Sequence, residues 1–144
     1  MMQQLDPPAG RYCSFIERDN NIWEFRFLKA TNEAVDEWVA WQDYLSKQPP
    51  KPGVTTVRTL LDFRPEGPIP MLYALRKNSE WRRLNPHIDP IPVKVAILLK
   101  QSSSFQKAYA DLIKEGVNVF GMRRVQIELF YDAYLQAIRW LLEA

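Results

Sequence analysis

The sequence is poor in the residues that build catalytic and metal centres. Its 144 residues include one cysteine, Cys13, one histidine, His87, and five glycines. One cysteine excludes an internal disulfide, and one cysteine with one histidine excludes a Cys/His zinc site within a single chain. The glycines form neither a P-loop nor a Gly-x-Gly-x-x-Gly motif. The sequence therefore predicts no cofactor and no metal.

Long apolar runs and a dominant charge are also missing. The longest apolar stretches, Met71–Leu75 and Val95–Leu99, are too short to cross a bilayer. The opening residues lack the basic and apolar regions of a signal peptide. We therefore expect a cytoplasmic protein without membrane insertion. The net charge of +2 disfavours a nucleic-acid partner, so any basic character must be local.

The sequence does have enough apolar residues to build one ordinary domain. Hydrophobic residues make up 47% of the chain and aromatic residues 12%. We predict a loose tail over residues 1–10 and a single domain over residues 11–144. An antiparallel hairpin opens the domain, because two short alternating segments, Tyr12–Glu17 and Ile22–Leu28, flank the turn cluster Asp19–Asn21.

Helices and strands alternate after this hairpin. The predicted helices start at Thr31 or Asn32, at Pro70, at Ser102–Ser104 and at Tyr131, and the predicted strands are Thr55–Asp62, Val93–Leu99 and Val125–Phe130. This order predicts an α/β fold with a mixed, mostly parallel sheet and helices on its faces. The third helix continues to about Met122 with Gly116 as a close-packing point. The alternative ends it at Gly116 and makes Val117–Phe120 a strand.

This order resembles the STAS-like group of small bacterial proteins, which are related to the anti-sigma-factor antagonists. The resemblance depends on the opening hairpin, on the strand that ends in Asp62, on the apolar strand Val93–Leu99 and on the ending VQIELFYDAYLQAIRWL. It implies a regulatory, protein-binding role. In the antagonists a Ser or Thr follows the matching strand and is phosphorylated. Because Phe63–Asn78 contains neither residue, that switch does not carry over.

The loop after the central strand holds the first group of candidate binding residues. Parallel strands of an open α/β sheet end at the edge where such folds bind ligands. This places Asp62, Arg64, Glu66 and Gly67 at that edge as candidates. An Asp at a strand end often only fixes the turn, so the structural interpretation of Asp62 is favoured over a binding role.

A serine cluster at the same predicted edge is a weaker candidate. Ser102, Ser103 and Ser104 precede the third predicted helix and follow Lys100. The N-terminus of a helix can bind an anion, and this cluster could hold a phosphate or carboxylate. Capping of the helix explains the three serines equally well, so the anion site is the less favoured interpretation.

Basic residues in the second predicted helix form the other candidate site. Arg76, Lys77, Arg82 and Arg83 are read either as a solvated helix face or as a docking face for an acidic protein. A triad built on His87 and Asp89 is disfavoured, because the chain has no nucleophile elbow. We therefore predict no catalytic residue.

Two functions remain after these exclusions. The first is a non-enzymatic module that binds a protein partner through the Asp62–Gly67 loop and the basic helix. The alternative is a carrier of a small apolar molecule or lipid, with a pocket between the sheet and the helices. A hydrolase comes third, and homodimer formation is left open.

Overall fold

The computed structural model describes residues 6–49, 51–88, 91–100, 106–119 and 124–143. In chain order, the elements within these ranges are β1 (Cys13–Arg18), β2 (Ile22–Phe27), α1 (Asn32–Ser46), β3 (Val57–Asp62), α2 (Met71–Leu84), β4 (Val93–Leu99), α3 (Gln106–Val119), β5 (Val125–Tyr131) and α4 (Tyr134–Leu142). The predicted α/β class is confirmed.

The strands form one five-stranded sheet in the order β1-β2-β3-β4-β5. β1 and β2 pair antiparallel, whereas the remaining neighbours pair parallel. The hairpin turn contains Asn20 and Asn21 at positive φ, 64° and 62°. Asparagine tolerates this left-handed conformation better than most residues. The two asparagines therefore allow the chain to reverse direction where the sequence predicts a turn.

Each face of the sheet is covered by different helices. Along β3, Leu60 points to one face and Leu61 to the other, and both are buried as the apolar pattern predicts. Leu61 packs in the core with residues of α1, α2 and α3, and we call this side the three-helix face. Leu60 packs in a smaller core with Ala137 and Leu141 of α4, and we call this side the α4 face.

Basic side chains of the sheet hold the last turn of α4. Arg58 Nε donates to the carbonyl of Leu141 at 2.7 Å, and Lys94 Nζ donates to that of Trp140 at 2.5 Å. The last carbonyls of a helix have no partner within the helix and carry partial negative charge. These two cations therefore help to fix α4 on the sheet.

Several predicted boundaries differ from the structure. β3 begins at Val57 rather than Thr55, and α4 begins at Tyr134 rather than Tyr131. The strand β5 continues to Tyr131, and Asp132 then adopts a positive φ of 49°, which is incompatible with a right-handed helix. α3 passes through Gly116 to Val119, so the alternative strand over residues 117–119 is wrong.

Some predictions fall on residues outside the described ranges. The serine cluster is the main example, since Ser102, Ser103 and Ser104 all lie between the described residues 100 and 106. Their interpretation as an anion site or as helix caps therefore stays a prediction. Residues 1–5 of the predicted tail, Asp89 and residues 120–122 also lie outside the described ranges.

Gly116 is a close-packing point, as the sequence predicts. A Cβ atom added there would overlap Leu75 Cδ1 of α2. Glycine costs a helix interior about 1 kcal/mol relative to alanine. Glycine lies at this position despite that cost because α2 and α3 approach too closely to leave room for a Cβ atom.

The tryptophans of α1 cover the sheet, as their spacing predicts. The Trp41 ring lies 5.2 Å from that of Phe15, and Trp38 lies 6.2 Å from Phe27. Trp41 also donates from Nε1 to the carbonyl of Cys13 at 2.8 Å.

Another side chain of α1 reaches the same strand. Glu37 Oε1 accepts from the backbone N–H groups of Tyr12 and Cys13, both at 2.7 Å. Together with Trp41, it binds the outer backbone groups at the start of β1.

Among the described helices, none has both the length and the apolar character required to cross a membrane.

Candidate functional site

Asp62 fixes the turn that follows β3. Its side chain is only 4% exposed. Oδ1 accepts from the backbone N–H and the Nε of Arg64, and Oδ2 accepts from Arg64 Nη2, all at 3.0 Å. The hydrogen bond to Asp62 raises the pKa of Arg64. This geometry supports the structural interpretation of Asp62.

A second buried carboxylate lies on the same α4 face. Glu24 accepts from Arg18 Nε at 3.2 Å and Nη2 at 3.0 Å, and from the Tyr134 hydroxyl at 2.6 Å. Burial, followed by the bond to Glu24, raises the pKa of Tyr134. The Arg64 guanidinium lies 5.9 Å from the centre of the Tyr134 ring. Asp62, Arg64, Glu24, Arg18 and Tyr134 thus form one cluster of paired groups, which we call the α4-face cluster.

The rest of the predicted loop stays apart from this cluster. Glu66 forms an exposed ion pair with Lys29 at 3.6 Å, and such a pair contributes little to stability. Gly67 adopts a positive φ of 87° and donates its backbone N–H to Phe63 at 2.8 Å. Glycine adopts this φ without strain, so Gly67 closes the turn.

The four basic residues of α2 do not share one face. The charges of Arg76 and Lys77 lie 5.4 and 5.5 Å from the centre of the Tyr73 ring, and Arg83 is exposed. Arg82 is only 8% exposed, so its assignment to a solvated or docking face is wrong. The reason is helical spacing, since Arg82 lies two turns after the buried Ala74 and therefore on the inner side of α2.

A cavity of about 180 Å³ lies between the sheet and helices α1 and α2. We call it the sheet–helix cavity. It lies on the three-helix face, across the sheet from Asp62. Most of its wall is apolar and includes Trp23, Leu61, Ile69, Ala74, Ile97 and Ile127. Val57, Val93 and Val125, the first residues of three parallel strands, also line it, so the cavity extends to the amino ends of these strands.

Three residues that line the cavity each have a buried polar atom without a hydrogen-bond partner among the described residues. These atoms are Nε1 of Trp38, Nε2 of Gln42 and Oδ1 of Asn78. Trp38 as a whole is only 8% exposed. Buried polar groups in folded proteins almost always pair with the chain or with water, and these three atoms expose almost no surface to the cavity.

Another polar group in the same wall is satisfied within the chain. Trp81 Nε1 donates to Asp43 Oδ1 at 3.0 Å, which links α2 to α1. Burial pushes the pKa of Asp43 up, but hydrogen bonds from Lys47 and Trp81 hold it below its usual value. The wall therefore satisfies this polar group within the chain.

A groove of about 430 Å³ adjoins the cavity at the amino ends of the strands. Both spaces are lined by Trp23, Ser46, Val57, His87 and Ile91. His87 is exposed, as expected for a loop histidine. We call this the mouth groove, since it joins the cavity to the surface.

The sequence analysis did not single out Gln42 and Asn78 of this wall, although their spacing gives a weak signal. Gln42 lies one helical turn after the buried Trp38. Asn78 lies one turn after the buried Ala74 and one turn before Arg82. A polar residue at the core-facing spacing of an amphipathic helix is the signal that would have found both amides.

Comparisons of the chain with protein-family models, curated proteins and solved structures found no match. Within the described ranges, no group of three or more His, Cys, Asp or Glu side chains is placed to hold a metal ion.

Proposed function

We propose that this chain is a non-catalytic, STAS-like module that binds a small, mainly apolar molecule in the sheet–helix cavity. The opening hairpin and the later alternation of strands and helices support the STAS-like part of the proposal. The observation that carries the binding function is the mainly apolar cavity of about 180 Å³ between the sheet and helices α1 and α2.

The size and cost of the cavity also support a ligand. An apolar cavity of about 150 Å³ in another protein holds a benzene molecule, so about 180 Å³ accommodates one ring with a short substituent. The atoms that line an empty apolar cavity lose the dispersion contacts that a close-packed core would supply, and an occupant that fills the space would restore them.

An isolated apolar probe tests this function. Cumene, a benzene ring with an isopropyl group, is added at increasing concentration while the thermal unfolding midpoint is measured. Binding to the folded state alone raises stability by RT ln(1 + [L]/Kd), so the midpoint should rise with cumene. Ala74→Leu fills the cavity and should remove this rise, because Ala74 is buried in the wall.

Ala40→Leu is the matched control, since it adds the same atoms at an exposed position of α1. It should leave the cumene response unchanged. The absence of a response in the original chain, or an equal response in Ala74→Leu, would contradict binding in the cavity.

Binding of a protein partner is the second proposal. It applies to the outer surface of α2, where the exposed Leu72 and Leu84 lie on the same helix as the exposed Arg76 and Arg83. Arginine with exposed apolar side chains is common at protein interfaces. The two proposals depend on different residues. Ala74 lines the cavity, whereas Arg76 and Arg83 lie on the exposed surface of α2.

A further inference from the structure

We propose that the outer edge of β5 pairs with the same edge of a second copy of this chain, in antiparallel orientation and with a two-fold axis at Ile127. The two five-stranded sheets then form one continuous sheet across the dimer. This contact is separate from the cavity and from the outer surface of α2. The direction of the backbone groups of β5 and the side chains that face each other across the axis support it.

The backbone of β5 shows which of its residues bond to β4. The carbonyl of Arg124 accepts from the N–H of Val93 at 2.9 Å, and the N–H of Asp132 donates to the carbonyl of Leu99 at 2.8 Å. Between these two bonds the register of β4 and β5 stays constant, without a bulge. Because the N–H and C=O of one residue point to the same side of a strand and alternate along it, the even-numbered residues bond to β4.

The odd-numbered residues therefore direct their N–H and C=O groups away from the sheet. These residues are Val125, Ile127, Leu129 and Tyr131. Among the described residues, no strand lies beyond β5 to pair with them. A row of outward-facing backbone groups is a template for a strand of another chain.

This edge also has few of the features that keep other strands away. Natural edge strands are often protected by proline, by lysine or by side chains that cover the backbone. β5 contains no proline, lysine or glycine, and Glu128 is its only charged residue. At the opposite edge of the sheet, by contrast, Glu37 and Trp41 occupy the backbone groups of Cys13. β5 is therefore the edge that is better suited to pairing.

Backbone geometry limits the registers that two copies of β5 can adopt. Two identical antiparallel strands are related by a two-fold axis, which makes the contact self-complementary. Only outward-facing residues can exchange hydrogen bonds, so odd-numbered residues must lie opposite odd-numbered ones. The axis must therefore pass through a residue and not between two. With the axis at Ile127, this residue lies opposite its own copy, and Val125 lies opposite Leu129.

The side chains on the α4 face favour this axis over its neighbours. With the axis at Ile127, the exposed Gln126 lies opposite the exposed Glu128 of the second copy, twice by symmetry. An amide donates to a carboxylate, and a hydrogen bond to a charged group is stronger than a neutral one. An axis at Glu128 would place two carboxylates directly opposite each other, which is destabilising. An axis at Gln126 would leave only residues 125–127 of β5 opposite residues of the same strand.

The side chains on the three-helix face add apolar contacts. Val125, Ile127 and Leu129 are half-buried and border a groove of about 550 Å³ between α3 and β5. Across the proposed axis, Val125 meets Leu129 of the second copy, and Ile127 meets its own copy. Apolar pairs directly across two strands stabilise their pairing, and their remaining exposed surface is removed from water.

Charge changes at Gln126 test the contact. Sedimentation equilibrium up to millimolar protein concentrations measures the dissociation constant of the dimer. Gln126→Lys places an ammonium group opposite Glu128 twice and should tighten the dimer about fivefold, whereas Gln126→Glu places like charges opposite and should weaken it about fivefold. Gln48→Lys and Gln48→Glu make the same changes at an exposed position just after α1 and should have no effect.

The variant Glu128→Gln distinguishes the proposed axis from the longer pairing centred on Glu128. It removes the charge that strengthens the bond from Gln126, so it should weaken the dimer. A tighter dimer would show relief of repulsion between two carboxylates and would place the axis at Glu128 instead. Weakening by both Gln126→Lys and Gln126→Glu would place the axis at Gln126, since each variant would then face itself.

Hydrogen exchange of the backbone N–H groups, followed by NMR at low and high protein concentration, tests the edge directly. The N–H groups of Val125, Ile127 and Leu129 should exchange more slowly at the higher concentration, because the second copy then binds them. Those of Gln126 and Glu128, which bond to β4 in either state, should change less. A monomer at every concentration, or a dimer without this alternating protection, would overturn the proposal.

Discussion

The two faces of the sheet treat buried polar groups in opposite ways. On the α4 face, Asp62 is bound by Arg64, and Glu24 is bound by Arg18 and Tyr134. On the three-helix face, Trp38, Gln42 and Asn78 line the cavity, and each has a buried polar atom without a hydrogen-bond partner among the described residues. The buried carboxylates of the α4 face are thus paired, whereas three neutral groups of the three-helix face are not.

This difference follows from the cost of leaving each kind of group unpaired. A buried charge without a partner is strongly unfavourable, so the α4-face cluster must form whenever the protein folds. A neutral amide or indole N–H without a partner costs much less. The three-helix face can therefore tolerate its unpartnered neutral groups.

The largest effect should follow from breaking the α4-face cluster. Asp62→Leu removes the acceptor of the Arg64 backbone N–H and leaves the guanidinium without its carboxylate. Loss of one partner of a buried pair costs about 3–5 kcal/mol, and we expect about 3 kcal/mol because Arg64 is partly exposed. Chemical denaturation measures the free energy of unfolding. Asp62→Asn retains an acceptor and should lose less, and an equal loss would contradict this account.

A smaller loss should follow from overpacking the three-helix face at Gly116. Gly116→Ala places a methyl group against Leu75, and overpacking costs about 1–3 kcal/mol, partly offset by the better helix propensity of alanine. We expect a net loss of about 1–2 kcal/mol in chemical denaturation. This variant tests whether the three-helix face is tightly packed outside the cavity.

The double variant Gly116→Ala/Leu75→Ala is the control for that clash. Removal of the Leu75 methyl groups should make the added methyl at Gly116 harmless, so the two losses should not add. Additive losses would show that the cost at Gly116 arises elsewhere.

The smallest effect should have the opposite sign. Asn78→Leu replaces an unpartnered amide in the cavity wall with an apolar side chain of similar size. Removal of the unsatisfied acceptor and the higher helix propensity of leucine should raise the free energy of unfolding by about 1 kcal/mol. Asn118→Leu makes the same change at an exposed position of α3 and should give a smaller gain. A loss of stability in Asn78→Leu would mean that the amide is satisfied in the empty protein.

The sequence predicted the fold well because its strands and helices are strongly patterned. The alternation of β2 and the double leucine of β3 placed both strands correctly in an α/β sheet. Errors came where the local pattern is ambiguous. The spacing of apolar residues around Tyr131 is compatible with a strand or a helix. The positive φ of Asp132 prevents a right-handed helix from beginning at Tyr131.

The candidate site was less predictable, since it depends on how different elements meet. The turn role of Asp62 could be inferred from its place at the strand end. Arg82 was misplaced because a run of basic residues suggests a surface, whereas the helical phase turns this one inward. Trp38, Gln42 and Asn78 line one space because α1 packs against α2, and no local sequence pattern reveals that packing.

The hydrogen bonds from α1 to the start of β1 also affect how this protein meets other molecules. β1 is an outer strand of the sheet, and outer strands can recruit strands from other chains. Glu37 and Trp41 occupy the N–H and carbonyl of Cys13, so an incoming strand cannot pair at that position. Any movement of α1 away from the sheet would expose these groups. The helix that lines the sheet–helix cavity therefore also blocks strand pairing at the first residue of β1.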